Sequence, residues 1–441
     1  MNIYALSSGR GPSGIAIIRI SGKDTLKISK KISKEKNLKQ REINFCKFYN
    51  PLNNNLIDEG LLLFFPSPNS FTGDDLVEFH IHGSNAVISY FLKVLSKQDN
   101  CRLAEPGEFT KIAFQNNKID LVEAESIGDL VHAETELQRI QAVNLVQGNA
   151  SIVYNNLREK LIRSLAYIEA KIDFAEDDLP ETVFEEVNKS IIEIKLKITK
   201  ILEDNKIGEK IRHGFRVSIT GEVNSGKSSL LNLLSKREVA IVSEEEGTTR
   251  DIIETYLNID GYPVILADTA GIRETKNKIE QKGILLAVNK SKEADLNIIM
   301  IDNSSSKIND QIKDLINSDS IVLLNKSDLN ENQKLFFDVD TILVSVKNNK
   351  NIDKFIKKLK EKLIKKFTTQ DNILVTRERH RFKLNECLNE INKFLEKNHN
   401  TDIELAAEDL RMATRHLGAI VGKVDVEEIL GSIFKDFCIG K

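Results

Sequence analysis

The sequence predicts a multidomain protein of the α+β and α/β classes, in which an α/β domain with a mainly parallel sheet is inserted into a discontinuous helical domain. Three observations predict this: a length of 441 residues, a change to helical patterning near residue 119, and strands that alternate with helices over 213–370. A chain of this length exceeds what one hydrophobic core fills, so about two to four domains are expected. Apolar residues form 41% of the chain, which is enough to fill those cores.

Residues 1–118 are predicted to form an N-terminal α+β domain. Short β-like runs, such as GIAIIRI at 14–20 and LLLFF at 61–65, alternate with turns rich in Gly, Pro and Asn. The next segment, 119–212, is predicted to be helical, because apolar residues recur at three- and four-residue spacing between Leu157 and Ile172.

The segment 213–370 is predicted to be an α/β domain. Five apolar runs (FRVSIT, PVILAD, NIIMID, SIVLLN and TILVS) alternate with helical segments, which is the rhythm of a mainly parallel sheet. Helical patterning resumes over 371–441. Because a domain is readily inserted where its termini lie close together, the two helical tracts are expected to pack as one domain.

The charge balance leaves RNA binding open. A net charge of −3 and a pI near 6.3 argue against a protein that coats nucleic acid generally, although a local basic surface could still hold RNA. Lysine-rich stretches occur at 23–41 and 354–366. The second is predicted to be the solvated face of an amphipathic helix, because Phe355, Leu359 and Leu363 recur at helical spacing.

The N-terminus lacks a charged leader with a long apolar stretch, and no run of about 18 apolar residues occurs, so a cytoplasmic protein without membrane insertion is expected. The four cysteines are scattered and lack the spacing of a zinc site or of a disulfide framework. Free thiols are therefore expected at Cys46, Cys101, Cys387 and Cys438.

A phosphate-binding loop is predicted at GEVNSGKSS, between the strand FRVSIT and the helical run SLLNLLS. Gly221 and Gly226 would let backbone amides turn toward a triphosphate. Lys227 would reach the β and γ phosphates, and Ser228 would bind Mg²⁺.

Three further motifs follow in order, each at a strand end, and together they resemble the translation-factor-like GTPases. DTAG places Asp268 where it can order Mg²⁺ through water. NKSD places the Asp328 carboxylate where it can accept hydrogen bonds from guanine N1 and N2, a pattern that adenine cannot supply. Asn325 and Lys326 would brace the base, and SVK, ending at Lys347, would supply a backbone amide for guanine O6.

The groups that complete catalysis are less regular. In EGTTRD, Thr249 is predicted to close the Mg²⁺ shell. Ile272 follows DTAG and cannot orient an attacking water, so Glu274 and Glu280 are the candidates for that role. Asn224 lies within the phosphate loop, where its amide oxygen could hold a monovalent cation.

Taken end to end, the chain resembles the MnmE (TrmE) family of tRNA-modifying GTPases. The resemblance rests on IYALSSGRGPSGIAIIRISG, PNSFTGDDLVEFHIHG, PGEFTKIAFQNNKIDLVEAE, DFAEDDLP, the GTPase motifs and the terminal FCIGK. It implies a cytoplasmic homodimer with folate-binding N-terminal domains. It also implies a K⁺-activated GTPase that works with the flavoprotein MnmG, which binds FAD, in an expected heterotetramer. The implied product is an aminomethyl or carboxymethylaminomethyl group at C5 of the wobble uridine of certain tRNAs, with the carbon taken from 5,10-methylene-tetrahydrofolate or a related tetrahydrofolate.

The resemblance also assigns residues. It implies K⁺ ligands at Asn224, Ser243, Glu245 and Thr248, Mg²⁺ ligands at Ser228 and Thr249, and a water-orienting catalytic Glu280. Folate contacts are implied at Arg19, Glu78, Lys118 and Lys441. The full set expected to contact GTP is Gly221, Asn224, Ser225, Gly226, Lys227, Ser228, Ser229, Ser243, Glu244, Glu245, Glu246, Gly247, Thr248, Thr249, Asp268, Thr269, Ala270, Gly271, Asn325, Lys326, Asp328, Ser345 and Lys347.

Cys438 admits three interpretations. CIGK has the outline of a prenylation box, but a final lysine is not usual there. Burial is the second, since Cys438 follows apolar residues such as Phe437. The resemblance favours the third, a catalytic thiol near the folate carbon and the pyrimidine, whose pKa Lys441 could lower.

His80 and His82 alternate along an expected strand and could form a metal pair. No third ligand cluster accompanies them, so structural hydrogen bonding is the expected role.

Two other functions compete with tRNA modification. One is a ribosome-assembly or regulatory GTPase whose flanking domains bind RNA or protein. The tail after residue 371 lacks a GxxG loop of the KH type, which weakens that alternative. The other is a folate-dependent enzyme whose nucleotide site is dispensable.

Overall fold

The structure is a computed structural model of the 441-residue chain. It describes residues 1–9, 11–173, 181–222, 224–237, 254–268, 291–304, 308, 310–330, 337–366, 373–397, 401–424, 433, 437 and 440. Two compact units are present. Unit 1 comprises Met1–Gly128, Leu145–Ile194 and Asn385–Lys441, and unit 2 comprises Asp129–Asn144 and Lys195–Leu384. The domain boundaries predicted after residues 118, 212 and 370 stay predictions.

Unit 1 contains a six-stranded sheet in the order β3-β4-β5-β2-β1-β6. Neighbouring strands are antiparallel except for the parallel pair β1 and β6. The predicted strands at 14–20 and 61–65 are confirmed within β2 and β4. The strands are β1 Asn2–Leu6, β2 Ser13–Ser21, β3 Asn44–Tyr49, β4 Leu56–Phe65, β5 Leu76–Gly83 and β6 Cys101–Leu103.

Two helices, α1 (Thr25–Ser33) and α2 (Asn85–Leu95), cover one face of this sheet. Their apolar residues join alternate strand residues in one core, where the Phe48 ring meets the Phe79 and Phe91 rings edge to face at 5.5 and 5.7 Å. Such pairs add stability beyond the burial of their area. Because side chains alternate along a strand, the other face of the sheet is lined by the intervening residues.

In the described part of the chain, seven further helices lie wholly or partly in unit 1. The two helical tracts pack against each other through α6 and α13, as predicted, with Lys423 donating to Asn155 Oδ1 at 2.7 Å. α6 buries Leu157 and Leu161 as its periodicity predicts. The helices that lie wholly or partly in unit 1 are α3 Glu108–Gln115, α4 Leu121–Val131, α5 Glu136–Val146, α6 Asn149–Asp173, α7 Glu181–Leu202, α12 Glu378–Glu396 and α13 Ile403–Val421.

Unit 2 contains the predicted mainly parallel sheet, in the order β12-β11-β10-β7-β9-β8. All neighbours are parallel except β8 and β9, and β8 is an antiparallel edge strand that the sequence interpretation missed. The strands are β7 Phe215–Gly221, β8 Glu254–Ile259, β9 Tyr262–Asp268, β10 Leu296–Asp302, β11 Ser320–Asn325 and β12 Thr341–Leu343.

Among the described residues, four helices lie wholly in unit 2: α8 Ile207–His213, α9 Lys227–Ser235, α10 Asp310–Lys313 and α11 Ile352–Lys366. α11 buries Phe355, Leu359 and Leu363, as predicted for the lysine-rich helix. In the described ranges, no helix combines the length and apolar character that a membrane crossing requires.

Candidate nucleotide site and a second polar site

The candidate nucleotide site lies at the carboxyl edge of the parallel sheet of unit 2. The phosphate loop follows β7, Asp302 ends β10, Asn325 ends β11, and Ser345 lies shortly after β12. Asp302 and Asn325 are register partners on adjacent parallel strands. Ligands of α/β sheets bind at this edge, because parallel strands deliver their following loops to the same side.

Two glycines of the phosphate loop are required by close approach. A Cβ at Gly221 would lie 2.1 Å from the Met300 carbonyl oxygen on the neighbouring strand. A Cβ at Gly226 would lie 2.3 Å from Asn325 Nδ2, and the φ of +105° there also favours glycine. The loop can therefore pass against β10 and β11 only because both positions lack a side chain.

Lys227 begins α9, and its ammonium folds back over the loop. Its Nζ donates to the carbonyl oxygens of Gly221 at 2.9 Å and Glu222 at 2.8 Å. These bonds hold the charge on the loop beside the N-terminus of a helix, where the backbone dipole also favours an anion.

Asn325 joins the phosphate loop to the guanine-reading loops. Its Nδ2 donates to the Ser225 carbonyl at 2.8 Å, and its Oδ1 accepts from the Val346 amide at 3.1 Å. The Asn325 side chain is buried, so both bonds form away from water. This geometry is the bracing role that the NKSD motif predicts for Asn325.

Lys326 and Asp328 are oriented by specific partners. Lys326 Nζ donates to Asp302 Oδ2 at 2.5 Å, and this ion pair lowers the pKa of Asp302 against the opposing effect of partial burial. Asp328 Oδ1 accepts from Ser345 Oγ at 2.6 Å, and this bond lowers the pKa of Asp328. The Asp328 carboxylate is therefore ionised at neutral pH and acts only as an acceptor, as reading the donor edge of guanine requires.

A cavity of about 630 Å³ lies beside Asn325, Lys326 and Asp328. Sequence interpretation predicted Ser229 of α9 but missed Asn232, Leu233 and Lys236, which recur with Ser229 at the three- and four-residue spacing of one helix face. The lining includes Asn224, Gly226, Ser229, Asn232, Leu233, Lys236, Asn325, Lys326, Asp328, Leu329, Val346 and Lys347.

Other residues that were predicted to contact GTP or Mg²⁺ either do not line this cavity or lie outside the described residues. Asp268 ends β9, where its backbone is the register partner of Ile219 on β7, the strand that leads into the phosphate loop. Ser228 is exposed at the start of α9. The following predicted residues lie outside the described residues: Ser243, Glu244, Glu245, Glu246, Gly247, Thr248, Thr249, Thr269, Ala270, Gly271, Glu280, Cys438 and Lys441.

The second polar site lies on unit 1, on the sheet face opposite α1 and α2. Arg19 and Glu78 are register partners on β2 and β5, and Arg19 Nη2 donates to Glu78 Oε1 at 2.7 Å. The Arg19 guanidinium also lies 5.8 and 5.7 Å from the ring centroids of Phe71 and Phe109. Aromatic faces beside a guanidinium stabilise the cation and form an apolar wall.

Lys118 is tied to the same loop as Phe71, because its Nζ donates to the Pro68 carbonyl at 2.9 Å. The C-terminal motif reaches this part of unit 1 as well. Ser7 Oγ donates to the Gly440 carbonyl at 2.8 Å, just after the end of β1. Ala5 of β1 is the register partner of Arg19. Ser7, which binds Gly440, follows Ala5 by two residues.

The two histidines of β5 make local polar contacts. His82 Nδ1 lies 2.8 Å from Asp58 Oδ1, and His80 Nε2 lies 3.5 Å from Glu78 Oε2. In the described part of the chain, no three His, Cys, Asp or Glu residues are grouped so as to hold a metal ion. Hydrogen bonding, the role expected for this pair, is confirmed at His82.

Cys46, Cys101 and Cys387 are free thiols, as predicted. Burial raises the pKa of both Cys46 and Cys101 to about 11, and it raises the pKa of Cys387 as well. A neutral thiol is a weak nucleophile. Cys438 lies outside the described residues.

Comparisons with known proteins cover the whole chain. Residues 2–118 match a family model described as the GTP-binding protein TrmE N-terminus, and residues 121–438 match one described as the MnmE helical domain. Over the full length of both chains, the sequence is 55% identical to a protein of Pelagibacter ubique named tRNA modification GTPase MnmE.

Proteins with the same name from Rickettsia bellii and Rickettsia typhi are each 43% identical, over 100% of this chain and 99% of theirs. Among solved structures, the G domain of the T. maritima FeoB iron transporter aligns with 34% of this chain and 98% of its own. That alignment has 21% identity and a TM-score of 0.25.

Proposed function

Because the chain belongs to the MnmE family of tRNA modification GTPases, we propose that its nucleotide site drives the modification of the wobble uridine of tRNA. The enzyme is a GTP hydrolase, and GTP with Mg²⁺ is its substrate. The observation that carries the site assignment is the Asn325 side chain, which ties the phosphate loop to the loop after β12 while Asp328 is held ionised beside it.

Each described residue of this site has a specific role in the proposal. Asp328 accepts from the donor edge of guanine, and Lys326 with Asn325 fixes the loop that presents it. Lys227 neutralises charge on the β and γ phosphates. Ser228, at the start of α9, and Thr249 would hold Mg²⁺, which supplies further neutralisation of the triphosphate when bound. The resemblance supports these assignments, and the geometry at the sheet edge supports those of the described residues.

Two roles fall on the segments on either side of β8 and β9. Glu280 would orient the attacking water, because Ile272 cannot. Ser243, Glu245 and Thr248 would join Asn224 around K⁺, beside the phosphates. Among these groups the structure describes Asn224, which lines the cavity in the left-handed conformation with a φ of 61°. Asparagine tolerates that conformation better than most residues do, which suits a tight loop around a cation.

The modification chemistry is assigned to unit 1. We propose that Arg19, Glu78, Lys118 and Lys441 bind a tetrahydrofolate, with basic groups for the glutamate tail and a carboxylate for the donor edge of the pterin. The Arg19 guanidinium, which lies near two aromatic rings, and the hydrogen-bonded Gly440 support this proposal. Cys438 lies between Phe437, which packs with Leu121, and Gly440 in sequence, so the proposed thiol is bracketed by two fixed residues of unit 1.

In this proposal the enzyme is a cytoplasmic homodimer that works with an MnmG-like FAD protein, in a heterotetramer. Together they add an aminomethyl or carboxymethylaminomethyl group to C5 of the wobble uridine, with a carbon from 5,10-methylene-tetrahydrofolate or a related tetrahydrofolate. Full-length similarity to relatives named for tRNA modification supports this assignment over a dispensable nucleotide site.

Replacement of K⁺ by Na⁺ is expected to slow GTP hydrolysis at least tenfold, because the smaller ion fits a different ligand cage and leaves developing phosphate charge less well neutralised. Steady-state phosphate release at constant ionic strength measures the effect. Asn224→Ala should lose most of the K⁺ stimulation while it retains GDP binding. Equal rates in the two salts would refute the cation assignment.

Nucleoside analysis of tRNA from a deletion strain tests the proposed function. The strain should lack the modified wobble uridine, and the wild-type gene should restore it. The Asp328→Asn variant should fail to restore it, because it would bind GTP too weakly to hydrolyse it. Unchanged wobble nucleosides in the deletion strain would instead favour a ribosome-assembly or regulatory GTPase.

A further inference from the structure

Of the two helices that cover the unit 1 sheet, α1 is strongly basic. Neither α1 (TLKISKKIS) nor α2 (NAVISYFLKVL) contains an aspartate or a glutamate. The segment 23–41, which includes α1, contains seven lysines and one arginine against two acidic residues. A chain with a net charge of −3 therefore concentrates positive charge on one outer surface.

Four lysines form the feature that is here named the α1 basic patch: Lys23, Lys27, Lys31 and Lys34. All four are exposed, while Ile28 and Ile32 of the same helix are buried against the sheet. Lys27 and Lys31 are four residues apart within α1, which places them about 6 Å apart on one side of the helix, while Lys23 lies just before α1 and Lys34 is its C-cap residue. Like charges at this spacing destabilise a helix by roughly 0.2–0.5 kcal/mol per pair, although Lys31 and Lys34 at the C-terminal end of α1 also interact favourably with the helix dipole.

The α1 basic patch is not neutralised within the described part of the chain. None of Lys23, Lys27 and Lys31 forms an ion pair there, and Lys34 Nζ lies 3.7 Å from the ring centroid of Tyr49. The nearby carboxylate of Asp24 instead accepts from Asn2 Nδ2. The positive charges are thus available to a partner.

The lysine-rich helix α11 provides an internal comparison. Several of its lysines pair with acidic residues, among them Lys358 with Asp340 at 3.0 Å and Lys360 with Asp260 at 2.9 Å. Lys366 pairs with Asp319 in the same way. The lysines of α11 are therefore largely balanced by acidic partners, as expected if they reflect only the high lysine content of the chain. The lysines of α1 are not balanced in this way, so lysine content alone does not explain them.

We propose that the α1 basic patch binds the phosphate backbone of the tRNA substrate. The inference rests on the proposed function, which makes tRNA the polyanion that this protein must hold. A row of exposed ammonium groups that form no ion pair in the described part of the chain complements regularly spaced phosphates, and such contacts fix position without reading sequence. Arg19 and Glu78 lie on the opposite face of the sheet, so the patch holds tRNA without occupying the candidate folate site.

Binding of an unmodified tRNA transcript with uridine at the wobble position tests the proposal. Fluorescence anisotropy on the full-length protein gives Kd at several salt concentrations. Lys27→Glu together with Lys31→Glu should raise Kd at least tenfold near 0.1 M salt. Lys27→Gln with Lys31→Gln should reduce the slope of log K against log salt by roughly 1.4–1.8, the value for two lost phosphate contacts. Lys27→Arg with Lys31→Arg should keep the wild-type affinity.

The matched control changes the same charge elsewhere. Lys354→Glu with Lys357→Glu on α11 should leave Kd within twofold, and GTP hydrolysis without tRNA should be unchanged in every variant. Equal Kd for wild type and the Lys27 and Lys31 variants would overturn the inference while leaving the proposed function intact. Equal weakening by the α11 control would overturn it too, because total charge would then be the cause. Loss of binding to the flavoprotein partner with unchanged tRNA affinity would assign the patch to a protein instead.

Discussion

Asp328→Asn is expected to weaken GTP binding by about 100- to 10,000-fold. The carboxylate accepts two hydrogen bonds from guanine, each contributing about 1.5–3 kcal/mol, and an amide in its place presents a donor to a donor. Ser345 Oγ holds Asp328 Oδ1 at 2.6 Å, so the replacement is presented in the same place. Isothermal titration with GTP and GDP measures the loss.

Xanthosine triphosphate should bind the Asp328→Asn variant better than GTP does, because its C2 carbonyl accepts from the introduced amide. Asp353→Asn is the matched control, since Asp353 is an exposed aspartate of α11 that pairs with Arg237 away from the cavity. It should change the GTP affinity less than twofold. A variant that keeps its preference for GTP over the xanthosine nucleotide would disprove the role of Asp328 in reading guanine.

Asp129→Ala is expected to lower the free energy of unfolding of unit 2 by about 2–4 kcal/mol. Asp129 Oδ1 accepts from Arg212 Nε and from Arg377 Nη2, both at 2.8 Å. Arg212 lies in α8, directly before β7, and Arg377 lies directly before α12, so one carboxylate joins the chain entering the α/β part to the chain leaving it. Removal leaves two largely buried guanidinium groups without a shared acceptor.

Thermal unfolding followed with and without GDP measures this change, because the transition that nucleotide shifts upward belongs to unit 2. Glu136→Ala is the control. Glu136 pairs with Arg139 at 2.7 Å on the surface of the same unit, with both side chains more than half exposed, and such pairs contribute less than about 1 kcal/mol. Similar shifts for both variants would show that the Asp129 contacts carry no special weight.

The sequence predicted those features of the fold and the site that depend on local patterns of residues. The strands of the parallel sheet and the phosphate loop are continuous patterns, and the structure contains them where the patterns place them. The edge strand β8 was missed because ETYLNI is short and partly polar, although the Asp260-Gly261 turn that joins it to β9 is a typical hairpin signal. Edge strands need less apolar sequence than central ones, which lie between two neighbours.

The sequence did not predict the contacts between residues that are far apart along the chain. Asp129 meets Arg212 across 83 residues and Arg377 across 248, and nothing in the local pattern of any of the three indicates the others. The pairing of Arg19 with Glu78 likewise depends on strand register, which a single sequence does not specify. The spacing of Asn232, Leu233 and Lys236 indicates that they share one face of α9. Whether that face lines the cavity depends on which face of the helix packs against the sheet.

Calorimetric titration of the full-length wild-type protein with GTP and with ATP, in Mg²⁺ and K⁺, tests the central claim most directly. Asp328, fixed by Ser345, should give GTP at least a thousandfold advantage, since adenine offers no matching donor edge. Equal affinity for the two nucleotides would contradict the assignment of this site to a GTPase.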